Sequence, residues 1–361
     1  MTAFTAPKAA VLDWLKLLAA ETEVYFPQAL GNASFEFARV SANSDLRLED
    51  WDSQTPRAEF RASANPVPPG KILSPPRETL FRYRKNADGG FEFTPVLATE
   101  ERTLAGVRPC DLKAIGLMDK VNAQPPADPY YLTRRQHTAI VAHDCLQPCD
   151  EHCFCEASGS LYTRDGADVF LTPTEDGLLV ECLTERGEAL VTDAGFAPCD
   201  DPGALKAAAE AHRTQPFGRQ FAAPLEQVFA TVAEAWDSPA WGEHVSRCFS
   251  CGSCNLVCPT CYCFDVHDDI DLADPDAGER YRTADGCMLN DFGEVAGGHN
   301  FRPDGAARQR HRVKRKFQYL SKSLGEGSWC VGCGRCGHQC TVDIDIFDIV
   351  NDLLGEAGVG A

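Results

Sequence analysis

Apolar positions recur along the first half of the chain in two alternating rhythms. Residues 8–20 place Val11, Leu12, Leu15 and Leu18 on one side of a helical wheel, which predicts an amphipathic helix. Phe35 and Phe37, with Ala33, alternate as in a strand. The run Asn65-Pro66-Val67-Pro68-Pro69-Gly70 then interrupts regular structure. Beyond it, residues 103–107 read as a short buried strand running into Arg108-Pro109-Cys110-Asp111. Asp111 is placed there to cap a helix continuing through Val121. Residues 138–142 repeat this layout and end at His143-Asp144-Cys145, and residues 169–171 and 178–182 add two further strands. The alternation predicts an α/β domain over residues 1–225. Cys110 and Cys145 would lie just beyond the carboxyl ends of strands, where open sheets hold their ligands.

From about residue 226 the pattern changes. A helical period over 225–236 leads into a cysteine run, and a long gap separates that run from a second one. The gap is too long for a compact β-type two-cluster ferredoxin. It predicts an α-helical ferredoxin-like two-[4Fe–4S] domain over residues 226–361, with a long helical insertion between the Cys runs. The fold class expected is therefore α+β. The Asp-rich segment 265–279 reads as a solvated loop.

The two runs carry the chemistry. Cys248, Cys251, Cys254 and Cys258 have the spacing C-x2-C-x2-C-x3-C, and Cys330, Cys333, Cys336 and Cys340 repeat it. Three thiolates three residues apart wrap a loop around three corners of an iron–sulfur cube, and the fourth Cys crosses to the other cube. One [4Fe–4S] cluster is thus assigned to Cys248, Cys251, Cys254 and Cys340, and a second to Cys330, Cys333, Cys336 and Cys258. A zinc site favours paired C-x2-4-C arms over two identical runs of four. The pattern predicts a protein that moves electrons.

Composition narrows the setting. Eighteen cysteines in a 361-residue chain, grouped at cluster spacings, fit a reducing cytoplasm better than a disulfide framework. The beginning, MTAFTAPKAA, lacks a basic segment followed by an apolar one. No stretch approaches the roughly 18 apolar residues of a membrane span; residues 9–20 carry Asp13 and Lys16. A net charge of −19 argues against nucleic acid as a partner. One run opposes that balance: Arg308, Arg310, Arg312, Lys314, Arg315 and Lys316, on an expected helix with Phe317, Tyr319 and Leu320. It is either a solvated face or a docking surface or counterweight to anionic clusters. Cys110, Cys145, Cys153 and Cys155, with Cys149 among them, are either ligands of a third cluster or buried free thiols. Cys261, Cys263 and Cys287 either join a His such as His299 around a further cluster or pack beside the others. Cys182 and Cys199 read as structural. No G-x-G-x-x-G follows a strand, so nicotinamide chemistry is expected elsewhere.

The order of motifs resembles one family. Gly106-Val107-Arg108-Pro109-Cys110-Asp111, Cys145 with Cys153-Phe154-Cys155, and Cys258-Pro259-Thr260-Cys261-Tyr262-Cys263-Phe264-Asp265-Val266 come first. Gly297-Gly298-His299-Asn300-Phe301-Arg302, Arg310-His311-Arg312 and Cys330-Val331-Gly332-Cys333-Gly334-Arg335-Cys336 follow. This is similar to the iron–sulfur beta subunits of cytoplasmic sulfhydrogenases, NAD(P)-linked [NiFe] hydrogenases. The same family includes the iron–sulfur component of anaerobic sulfite reductase that feeds its sirohaem partner. The resemblance spans residues 70–350 and implies that Cys110, Cys145, Cys153 and Cys155 hold a third [4Fe–4S] cluster, with Cys149 extra. It implies no catalytic residue in this chain. The partners implied are the small and large hydrogenase subunits together with a flavin/NAD(P)-binding reductase subunit. The alternative partner is a sirohaem sulfite reductase subunit. Two departures stand out: Thr341 follows Cys340 where Pro is usual, and Asp150-Glu151-His152 replaces small residues.

Overall fold

Two adjacent parallel strands in which every position is buried form the centre of an eight-stranded sheet. The computed structural model describes residues 2–30, 34–41, 43–44, 46, 67–149 and 151–359. Ala33, Asn65, Pro66 and Asp150 lie outside the described residues. The strands are β1 (Ala3–Ala6), β2 (Glu23–Leu30), β3 (Ser34–Arg39), β4 (Arg77–Lys85), β5 (Phe91–Pro95) and β6 (Arg102–Val107). They continue with β7 (Thr138–His143), β8 (Val169–Thr174), β9 (Gly177–Cys182), β10 (Ala197–Pro198), β11 (Phe264–Ile270) and β12 (Ala277–Ala284). The large sheet runs β10-β1-β9-β8-β7-β6-β2-β3. Its β2-β6-β7-β8 centre is parallel, and its flanks are antiparallel.

Parallel strands covered on both faces must be apolar on both faces. Ala105 and Val141 pack on one side with Val11, Trp14 and Leu15 of the helix Lys8–Glu21. Leu104, Val107, Ile140 and Ala142 pack on the other with Leu112 and Ile115 of the helix Pro109–Asn122. Each large side chain so buried contributes about 1.5–3 kcal/mol. The first of these helices and the four strands expected at 103–107, 138–142, 169–171 and 178–182 therefore form as the pattern indicates.

Three expectations need correction. The insertion between the Cys runs begins as a β-hairpin, β11 and β12, and the acidic segment is mostly strand. β12 pairs with β4, so a four-stranded sheet β11-β12-β4-β5 crosses the position near residue 225 where the sequence pattern changes. Helix appears only later in the insertion, at Gly305–Lys314, a π-helical turn at Arg315–Tyr319, and Leu320–Leu324. Asp111 does not cap its helix either. Arg108 is the N-cap residue, and the Asp111 carboxylate accepts two hydrogen bonds from Arg335, at 2.7 and 2.8 Å.

Candidate metal centres

The two Cys runs fold into the same loop. Each carries two left-handed residues at matching positions, Ser250 (φ 53°) and Gly252 (φ 74°) in the first and Gly332 (φ 65°) and Gly334 (φ 76°) in the second. Each then enters a one-turn helix, Ser253–Leu256 or Arg335–His338. The left-handed residues curl the backbone so that amides face the thiols. Ser250 N–H lies 3.4 Å from Cys248 Sγ, and Gly332 N–H donates to Cys330 in the same way. A serine in this conformation carries a strain of about 1–3 kcal/mol. Ser250 Oγ, 2.8 Å from Arg308, is held there from outside the loop. At Gly332 a Cβ would stand 2.4 Å from the Phe154 carbonyl oxygen and from Ser158 Oγ. Gly332→Ala is therefore expected to lower the thermal midpoint by several degrees and to reduce bound iron. Anaerobic melting with an iron assay checks this, and an unchanged midpoint would contradict it.

The thiols form a chain of neighbours. Burial pushes Cys254 up to about 12 against the pull of Arg312, with Cys336, Cys287 and Cys248 adding to the rise. Burial pushes Cys330 up to about 12 as well, Cys336 and Cys258 contributing. Cys258, from the first run, acts on Cys330, Cys333 and Cys336 of the second. A hydrogen bond from Cys261 holds Cys258 well below the usual thiol range, in spite of its burial. Cys248, Cys330, Cys336 and Cys340 all border one apolar cluster built on Val313, Phe317, Phe347 and Val350. Cys251 is exposed. Thr341, where Pro is usual, leaves Cys340 N–H bonded to Gly337 O at 3.0 Å.

The third thiol group docks directly on the second loop. Cys110, Cys145, Cys153 and Cys155 share an apolar cluster with Cys333, Trp329 and Val331. Phe154 N–H donates to Gly332 O at 2.7 Å, and Ser160 Oγ to Val331 O at 2.6 Å. Hydrogen bonds with Cys110 and Cys153, together with burial, drive the Cys155 thiol well up. Cys149, extra to the four in the family pattern, is buried beside Cys145. Arg108 donates to its sulfur at 2.9 Å and faces Cys145 Sγ at 3.7 Å. Cys182 lies in the core of the large sheet, where burial raises it to about 11. Among the described residues no three His, Cys, Asp or Glu side chains converge on a single-ion site.

The basic run resolves as buried charge. Arg308, Arg312, Lys314 and Lys316 are all buried, although they sit on one helical segment of a strongly polar stretch. Arg312 is 3% exposed; burial opposes its charge, yet Cys254, Cys336, Cys258 and Cys261 outweigh that and raise it. Lys316 has the same balance against Cys258, Cys261 and Cys330. A readable signal existed: Arg308, Arg312 and Lys316 recur every fourth residue, beside the apolar stripe of Val313, Phe317 and Leu320. The pairing of Arg335 with Asp111, each at most 2% exposed, had no such signal, because it spans 224 residues.

These residues fit iron–sulfur clusters. Buried cations need anionic partners, and Arg312 Nε has no hydrogen-bond partner among the described residues. It sits beside thiols arranged as two matched loops, whose cluster sulfurs could accept that bond. Residues 247–344 match the family model of a 4Fe-4S dicluster domain. The class that fold and site define is an iron–sulfur electron-transfer subunit. Over 336 residues the chain is 32% identical to sulfhydrogenase 2 subunit beta of Pyrococcus furiosus, covering 91% of this chain and 96% of that relative. The chain belongs to the family of sulfhydrogenase beta subunits. No solved structure matches it. None of the helices among the described residues is long and apolar enough to cross a membrane.

Proposed function

We propose that this chain is the electron relay of a cytoplasmic hydrogenase complex. It passes electrons singly between a flavin- and NAD(P)-binding reductase partner and the small and large subunits of a [NiFe] hydrogenase. The observation that carries this reading is the unbroken series of interacting thiols. It runs from Cys254 past Cys336 and Cys333 to buried Cys110, Cys153 and Cys155. Cys248, Cys251, Cys254 and Cys340 would hold one [4Fe–4S] cluster, and Cys330, Cys333, Cys336 and Cys258 a second. Cys110, Cys145, Cys153 and Cys155 would hold a third. When bound, each such cluster accepts or gives one electron, at a potential set by burial and by hydrogen bonds to sulfur.

The chain's own residues supply that environment. Arg312 and Lys316 set positive charge beside the thiols of both runs, which stabilises added negative charge. The Ser250 and Gly332 amides donate to sulfur from within the loops. Trp329, Val331 and Phe154 keep the buried end dry.

The test is the nickel content of the native complex, purified anaerobically through an affinity tag on this chain. About one nickel per complex is expected if the partner is a [NiFe] hydrogenase. A complex without nickel that shows a sirohaem absorption band would move the chain to sulfite reduction and overturn the proposal.

A further inference from the structure

Besides Cys182 and Cys199, three cysteines stand outside the three groups above. Cys261 and Cys263 follow the first run, on either side of Tyr262, and Cys287 lies just past β12. The β11–β12 hairpin brings the two segments together. Phe264 pairs with Ala284, and Asp285 N–H donates to Cys263 O at 3.0 Å, so the returning chain delivers Cys287 beside the segment it left. Asn255, 2% exposed, joins them: its Nδ2 lies 3.6 Å from Cys261 Sγ and 3.6 Å from Cys287 Sγ. Its Oδ1 accepts from Met288 N–H at 2.9 Å, which fixes which way the amide points. Gly286 permits this approach, since a Cβ there would stand 2.6 Å from Asn255 Oδ1.

The other segment is clamped with equal care. Lys71 Nζ donates to Cys261 O at 2.7 Å, Arg315 bonds the Tyr262 hydroxyl, and Lys316 Nζ donates to Thr260 O at 2.8 Å and Oγ1 at 2.6 Å. Lys316 is buried and faces Cys261 as well as Cys258 and Cys330, so one positive charge serves this segment and the second cluster's ligands together. His299, the fourth ligand considered from the sequence, is exposed on a short strand against Phe301.

We propose that Cys261, Cys263 and Cys287 hold an additional iron–sulfur cluster, bound by three thiolates and polarised by Asn255 and Lys316. A cleft of about 410 Å³ bordered by Cys261, Cys263, Lys71, Tyr130 and Arg282 leaves room at the fourth corner for a non-protein ligand. This site neighbours Cys258 and Cys254, so it is a branch beside the relay and independent of which partners the relay serves.

The experiment compares iron and acid-labile sulfide in the full chain, reconstituted anaerobically with iron and sulfide, against the double variant C263S/C287S. The variant is expected to hold about four fewer irons and four fewer sulfides per chain, while Cys182→Ser matches the parent. Equal iron in the parent and the double variant overturns the proposal. Should the double variant fail to fold, alkylation of the reconstituted parent chain decides the matter. Half-buried Cys261 and Cys263 are expected to resist iodoacetamide until a chelator strips the iron. Modification of either while iron is bound overturns the proposal.

Discussion

Cys254→Ala is expected to remove about four irons per chain and, in the hydrogenase complex proposed above, to end pyridine-nucleotide-linked hydrogen turnover. Viologen-linked turnover, which in that proposed assembly would enter at the hydrogenase subunits, should persist in part. Cys254 stands where three thiol groups meet, next to Cys248, Cys336 and Cys287. Burial raises it to about 12, so without metal it is a neutral thiol at physiological pH. Iron must displace that proton to bind, so binding there releases a proton and weakens as pH falls. Removing the sulfur leaves Arg312 facing a poorer set of anions, which weakens the neighbouring site too. Assays with both electron donors on one preparation check the result. Equal loss of both activities in an intact complex would contradict a relay role.

Asp111→Ala should be the most destabilising change outside the cysteines. Its partner Arg335 is 1% exposed and sits between Cys333 and Cys336. Both carboxylate oxygens are used, at 2.7 and 2.8 Å, so the alanine variant takes two charge-assisted hydrogen bonds from a buried guanidinium. Breaking such a pair from one side costs about 3–5 kcal/mol, whereas replacing both partners by apolar residues is often far milder. Thermal melts of Asp111→Ala, Arg335→Met and the double variant form a cycle that isolates the pair. The double variant is expected to be more stable than Asp111→Ala. A loss below about 1 kcal/mol for Asp111→Ala, the range of an exposed pair, would mean that the bond carries little.

The hairpin β11–β12 shows why part of the fold was not legible. Its strand Phe264-Asp265-Val266-His267-Asp268-Asp269-Ile270 is exposed at nearly every position, so no buried face imposes a period of two. It is a strand because of cross-strand partners: Arg280 binds Asp268 through two hydrogen bonds of 2.7 Å, and β12 pairs with β4 on its other edge. Exposed pairs of this kind contribute little each. Register with β4, far away in sequence, therefore decides the conformation. The basic run is a parallel case. Six cations in nine residues leave a solvated face and a counterweight to anionic clusters equally open until the thiols that compensate Arg312 and Lys316 are known.

What the sequence by itself determined was local and periodic. Two identical cysteine runs, the buried strands β6, β7, β8 and β9, and the helix after Cys110 each depend on residues within one turn or one strand. Their spacing is therefore sufficient to read them. Only the tertiary structure decided which sulfurs are neighbours, which charges are buried, and where Asp111 finds its partner. Those outcomes depend on contacts between segments up to 224 residues apart, and burial of a charge is favourable only once both partners and their hydrogen bonds are in place.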